Sequence, residues 1–300
     1  MNLKVKIGGF EFQNPVTVAS GTFWYTDTFY TQNEVRQLGA IVPKTVTLNK
    51  REGNPPPRIC ETPSGMVNAI GIDNDGVDDF IKKKLPELQD LNVPVIASVM
   101  GNSIEEFCQL AQRFSGQKNV VALECNLSCP NLQKKVLTAQ DPGLAADTIK
   151  AVKKATSLPV IAKLTPNVTD ITAVALAVEE GGADALSLIN TLGAMVIDIK
   201  RRKPCLGNIS GGLSGPAIRP VAVKMVYDTA RAVRIPIIGM GGIMTTNDAL
   251  EFLMAGATMV AVGTGNFVNP EAPFEILSGL EKFMEANGMT DIGELIGCAN

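Results

Sequence analysis

Short apolar runs rich in Val, Ile and Ala recur along the chain between longer stretches in which apolar positions return every three or four residues. The first pattern predicts buried parallel strands and the second predicts amphipathic helices packed over them. Eight runs begin near Val16, Ile41, Val95, Val120, Val160, Ala185, Ile237 and Val260, after an N-terminal hairpin over residues 3–13 whose turn is Gly8-Gly9. Helices are predicted at 103–115, 144–156, 170–180, 217–233, 246–255 and 272–286. Thr246-Asn247-Asp248 and Asn102-Ser103 ahead of Glu105-Glu106 are helix starts, because short polar side chains there can accept the first free N–H groups.

The strand starts are separated by 25, 54, 25, 40, 25, 52 and 23 residues, so the additions follow the second, fourth and sixth strands. They span roughly 45–75, 127–142 and 190–216 and contain turn formers such as Pro55-Pro56-Pro57, Pro130, Gly207 and Gly211-Gly212. Eight alternating units suit a doubly wound sheet or a closed barrel, and eight is the number at which the barrel closes. The expected fold is therefore α/β: a (β/α)8 TIM barrel with an N-terminal β-hairpin and three insertions converging over one mouth. Residues 1–300 are expected to form a single domain.

Composition narrows the chemistry. There is no histidine among the 300 residues, which excludes Ser-His-Asp and Cys-His nucleophiles and any His-containing zinc site. Proton transfer must fall to Cys, Lys, Tyr or a carboxylate. The 27 Lys plus Arg against 30 Asp plus Glu give a net charge of −3, which argues against a nucleic-acid or anionic-membrane surface. Met1 leads directly into Leu3-Lys4-Val5-Lys6-Ile7, and no apolar run approaches the ~20 residues of a membrane span, so a soluble cytoplasmic protein is expected. Cysteines 60, 108, 125, 129, 205 and 298 show no C-x-x-C spacing, which predicts free thiols, most of them core residues.

Candidate chemistry gathers at the strand ends. Gly239-Met240-Gly241-Gly242 and Gly263-Thr264-Gly265 end the seventh and eighth strands, where barrels bind phosphate; either glycine cluster alone would read as a tight turn. Lys44 and Lys163 each end an apolar strand; either alone would read as an ordinary strand-end lysine, and together at one mouth they suit an anionic substrate or an electron-rich cofactor. Asn68, Asn126, Asn131 and Asn190 lie on the loops of the second, fourth and sixth strands and suit a planar heterocycle with N–H and C=O groups. Cys129 follows the fourth strand and is the candidate base, with Ser128 competing and Cys125 assigned to packing.

These residues occur in segments that carry a specific resemblance: Ala19-Ser20-Gly21-Thr22, Pro43-Lys44-Thr45-Val46-Thr47, Asn68-Ala69-Ile70-Gly71, Asn126-Leu127-Ser128-Cys129-Pro130-Asn131 and Gly211-Gly212-Leu213-Ser214-Gly215-Pro216-Ala217-Ile218. Over essentially its whole length the chain resembles the catalytic subunits of the class 1B dihydroorotate dehydrogenases, flavoproteins of pyrimidine biosynthesis. Membrane-associated relatives carry serine as base and an N-terminal anchoring segment, whereas this chain has Cys129. The fumarate-using class shares the cysteine but lacks a stretch like Arg201-Arg202-Lys203-Pro204.

The resemblance implies FMN contacts from Ser20, Lys44, Thr45, Ser98, Asn126, Lys163, Ile189, Gly215, Gly241, Gly242, Gly263 and Thr264. Many relatives have asparagine where Ser98 stands. It implies dihydroorotate contacts from Lys44, Asn68, Ala69, Ile70, Gly71, Ile72, Asn126, Asn131, Asn190 and Thr191, with Ile72 in place of a more usual leucine. Cys129 would take the proton from ring carbon 5, a hydride would leave carbon 6 for FMN, and Lys163 would balance the charge on the reduced flavin. The segment Leu132-Gln133-Lys134-Lys135 would serve as a lid, its lysines either solvated or in contact with ligand. Electrons would pass to NAD through a separate subunit carrying FAD and a 2Fe-2S cluster, in a heterotetramer of two catalytic and two partner chains. Competing readings are a dihydropyrimidine dehydrogenase-like flavoenzyme, which differs where Asn131 stands, and a non-flavin phosphate-binding barrel.

Overall fold

In a computed structural model the chain is described over residues 1–24, 30–128, 130–131 and 136–300, without the side chains of 130, 131, 136 and 137. Seven strands pair in parallel in the order Val16–Val18, Met259–Val262, Ile237–Met240, Ala185–Leu188, Val160–Lys163, Val120–Asn126 and Val95–Val99. Almost every residue of these strands is buried, as a sheet covered on both faces requires. The eighth position is filled by residues 39–47, and the architecture is that of the (β/α)8 TIM barrel.

That closing segment differs from expectation. The run at Ile41 makes only isolated bridges, Ile41 with Val95 and Val46 with Val99, rather than a continuous ladder. Pro43 lies between them and has no N–H to donate. On its other side Gly39 N donates to Val16 O at 2.9 Å, and the Thr17 hydroxyl donates to Ala40 O at 2.8 Å. Side chains thus close part of the barrel where backbone pairing is interrupted.

Helices Ile104–Phe114, Pro142–Ala155, Ile171–Glu180, Arg219–Ala232, Thr246–Met254 and Ala272–Ala286 lie where the periodicity predicts them. Ser103 caps the first by accepting from Glu106 N. The cap of Thr246–Met254 is Thr245, one residue before the expected start, and it forms a reciprocal box with Asp248. The hairpin Val5–Ile7/Phe10–Phe12 turns at Gly8-Gly9, both at positive φ. Gly8 packs on Pro159 and Asp184, which precede two barrel strands, so the hairpin covers the N-terminal end of the barrel and leaves the opposite end open. Among the described residues no helix is long and apolar enough to cross a membrane.

Two of the three insertions, expected as loops, combine into a four-stranded antiparallel sheet. Its order is Leu192–Ala194, Gly211–Ser214, Gly65–Asn68, Ile59–Thr62, so residues that follow the second and sixth barrel strands share one sheet. Glycine disguised it in the sequence. A Cβ on Gly211 would collide with the Asn68 backbone and one on Gly212 with Thr191, so these strands approach closely only because both lack side chains. The fourth-strand insertion pairs Pro130–Asn131 with Val136–Leu137, followed by a 3-10 turn at Thr138–Gln140.

Candidate active site

The open end of the barrel holds a cavity of about 380 Å3. Every barrel strand contributes through the residues at or just beyond its C-terminal end except Val95–Val99, and the insertion sheet forms a further wall. Ser20, Lys44, Thr45, Asn126 and Lys163 line it, as do Ile189, Asn190 and Thr191. Asn68, Ala69, Ile70, Gly71 and Ile72 enter from the insertion, and Gly215, Gly241, Gly242, Gly263 and Thr264 from the last strands. Nine segments far apart in sequence therefore meet around one volume.

One expected position among the described residues is not brought into that lining. Ser98 lies outside it, 1% exposed, bonded to Thr45 Oγ1 at 2.9 Å and to Glu124 at 3.1 Å. The reason is the strand's alternation, which aims Ser98 at the barrel interior beneath the mouth. Cys129 lies outside the described residues, as do Leu132, Gln133, Lys134 and Lys135, and so does the side chain of Asn131.

The polar side chains form two groups. In one, Asn126 Oδ1 accepts from Ser128 N at 3.2 Å, while Asn190 Nδ2 donates to Ser128 Oγ at 3.0 Å and approaches Asn126 Oδ1 at 3.4 Å. This arrangement holds the carboxamides of two loops at one side of the cavity. In the other, Lys163 Nζ meets Glu124 Oε1 at 3.3 Å, with Lys44 near enough for the two ammonium charges to repel. Burial lowers the Lys44 pKa below the ordinary lysine value, Lys163 lowers it further, and Asp73 opposes both. The two lysines place their side chains along one wall of the cavity.

Glycine shapes the remaining side. A Cβ on Gly242, which has φ of +87°, would stand 2.8 Å from Gly215 O and 2.9 Å from Arg219 N. Only a bare backbone fits there, and it leaves a smooth cradle beside Ser214 and Thr264, whose hydroxyls meet at 2.7 Å. A phosphate is well matched to such a surface of backbone and hydroxyl donors. The volume, the cradle, the two cations and the carboxamides together fit a phosphorylated planar cofactor with a small heterocyclic anion beside it.

A family model described as dihydroorotate dehydrogenase matches residues 2–284. The chain belongs to that family. Among its relatives, the dihydroorotate dehydrogenase B (NAD(+)), catalytic subunit, of Desulforamulus reducens is 53% identical over 100% of this chain and 99% of its own length. The proteins of the same name from Desulforudis audaxviator and Geobacter sulfurreducens are 51% and 49% identical, each over 99% of this chain and 97% of their own length.

Within this dihydroorotate dehydrogenase-family barrel, two lining residues carried no sequence signal: Met66 and Phe267 are ordinary residues whose role is set by position. Glu124 did carry one. A charged residue inside the apolar run Val120-Val121-Ala122-Leu123-Glu124-Cys125 must find a partner in the core, and it finds Lys163. Cys125 is fully buried; burial, with Glu124 and Cys108 adding to it, pushes its thiol far up, as suits a packing residue.

Proposed function

We propose that this chain is the catalytic subunit of a class 1B dihydroorotate dehydrogenase: it oxidises (S)-dihydroorotate to orotate in cytoplasmic pyrimidine biosynthesis, with one FMN bound in the domain formed by residues 1–300. The observation that carries this reading is the meeting of Lys44, Lys163, the Asn126–Ser128–Asn190 group and the glycine cradle in a single cavity. The names of the relatives support the substrate and the acceptor NAD.

Ser20, Thr45, Asn126, Lys163, Ile189, Gly215, Gly241, Gly242, Gly263 and Thr264 would hold FMN, with Lys44 at the boundary between cofactor and substrate. When bound, FMN supplies the two-electron acceptor for the hydride from ring carbon 6. Lys44 pairs with the substrate carboxylate, while Asn68, Asn126, Asn131, Asn190 and Thr191 and the backbone from Ala69 to Ile72 orient the ring. Cys129 removes the proton at carbon 5. Lys163 keeps a positive charge against the wall where electron density collects. Electrons leave through a partner subunit with FAD and a 2Fe-2S cluster, two such subunits joining two catalytic chains.

The visible spectrum of the purified protein, or of protein incubated with FMN and desalted, tests the cofactor assignment. One FMN per chain is expected. A colourless protein that takes up no FMN overturns the reading in favour of a non-flavin phosphate-binding barrel.

Lys44 gives a pH prediction with a definite sign. Its lowered pKa means that the folded, ligand-free protein loses this proton as pH rises through that value, whereas the unfolded chain loses it only near ~10.4. In that window the unfolded state binds more protons, so this group stabilises the free protein as pH rises. Anion binding runs the other way, because it requires the ammonium. The ratio of orotate affinities, wild type over Lys44→Met, should therefore shrink as pH rises through the window; using the ratio cancels the ionisation of orotate itself. A constant ratio up to the ordinary lysine value contradicts the assignment.

A further inference from the structure

Directly beneath the cavity, four adjacent strands place polar side chains in an otherwise apolar barrel core. Glu124, 1% exposed, accepts from the Ser98 hydroxyl at 3.1 Å and from Lys163 Nζ at 3.3 Å through Oε1, and from the Ser187 hydroxyl at 2.9 Å through Oε2. The set extends to the cavity wall. Ser98 meets Thr45 at 2.9 Å, Thr45 meets Ser20 at 2.9 Å, and Ser20 donates to Pro43 O at 2.8 Å.

A buried carboxylate is costly to desolvate, and an apolar residue of the same volume would fill a barrel core without that cost. Its partners offset that cost: one cation and two hydroxyl donors, each from a different strand. The flexible stem of a lysine gives its ammonium many positions, and only an anchor at Nζ selects one. Lys163 is 6% exposed, lines the cavity, and makes that anchoring contact with Glu124.

We propose that Glu124 is a positioning residue for the reaction, fixing the Lys163 ammonium toward the bound flavin, with Ser98 and Ser187 orienting its carboxylate. Ser98 then acts one residue behind the wall, through Glu124 and Thr45, rather than by touching the cofactor. This inference rests on the FMN reading above.

The test uses FMN-loaded protein and sulfite, which adds to oxidised flavin as an anion and so reports positive charge beside the ring. Glu124→Asp, which keeps the negative charge but draws the carboxylate back from Lys163 by one methylene, should weaken sulfite binding about tenfold, the scale of one charge-assisted hydrogen bond, while FMN stays bound. Lys163→Met should weaken it at least as much, and the double variant should be no weaker than Lys163→Met alone, because Glu124 acts through that lysine. Ser187→Ala keeps the charge pair and should lose about threefold, within the range of a single neutral hydrogen bond. It carries the test if Glu124→Asp fails to load flavin.

In flavin-loaded protein, unmoved or tightened sulfite affinity in Glu124→Asp, or additive losses in the double variant, overturns the role of Glu124 and leaves the FMN reading standing. Unmoved affinity in Ser187→Ala does the same where that variant stands alone. Wild-type protein that binds no FMN overturns both.

Discussion

Replacing Cys129 by alanine should slow the reduction of bound FMN by dihydroorotate at neutral pH by about 10²-fold or more, the scale of general-base catalysis. With no histidine in the chain, the carbon-bound proton needs another acceptor. Cys125 is excluded by burial, which holds its thiol protonated. Lys163 is engaged by Glu124, and Lys44 is assigned to an anion. Ser128 receives a hydrogen bond from Asn190 and has no adjacent imidazole to ionise it. Cys129, next to Ser128, is the thiol that follows the fourth barrel strand, whereas Cys60 and Cys205 lie within the insertions and do not line the cavity. An ordinary thiol titrates near ~8.5, so the wild-type rate should climb with pH as the thiolate forms. The alanine variant should lose that dependence in anaerobic stopped-flow traces. An unchanged rate would transfer the role to Ser128 or to water.

The second large effect is expected at Lys163. Its ammonium lies in a nearly dry site, where a fixed charge acts far more strongly than in water. Replacement by methionine keeps most of the stem's packing and removes the charge. Single-turnover hydride transfer should fall about 10²- to 10³-fold, comparable with losing one preorganised electrostatic contact, with a smaller change in dihydroorotate affinity. If the loss appeared only in affinity, Lys163 would be a substrate ligand instead.

The barrel was legible because its strands are unusually plain. Runs such as Val95–Val99 and Val160–Lys163 are buried end to end, and the intervals between them show where chain had been added. The second strand was not legible in detail, since apolar character at Ile41-Val42 says nothing of the ladder that Pro43 interrupts. The insertion sheet escaped notice for a related reason: Gly211-Gly212 reads as loop, although glycine is what lets its strands meet Asn68 and Thr191.

At the site, strand-end position was the reliable signal. Lys44, Asn126, Lys163, Asn190, Gly241 and Gly263 all reach the cavity because parallel barrel strands end on one face. Ser98 shows where that signal stops. It lies within a strand rather than at its end, and its hydroxyl serves Glu124 below the floor. Glu124 was visible as a lone charge in an apolar run, but its partners come from three other strands, a relation only the closed barrel provides.

The central claim is that this cavity oxidises dihydroorotate through a bound flavin. Anaerobic titration of the FMN-loaded protein with (S)-dihydroorotate tests it most directly, followed at about 450 nm, where oxidised flavin cofactors absorb. The yellow colour should be lost, with one orotate formed per flavin reduced. Colour that persists under excess dihydroorotate would contradict it.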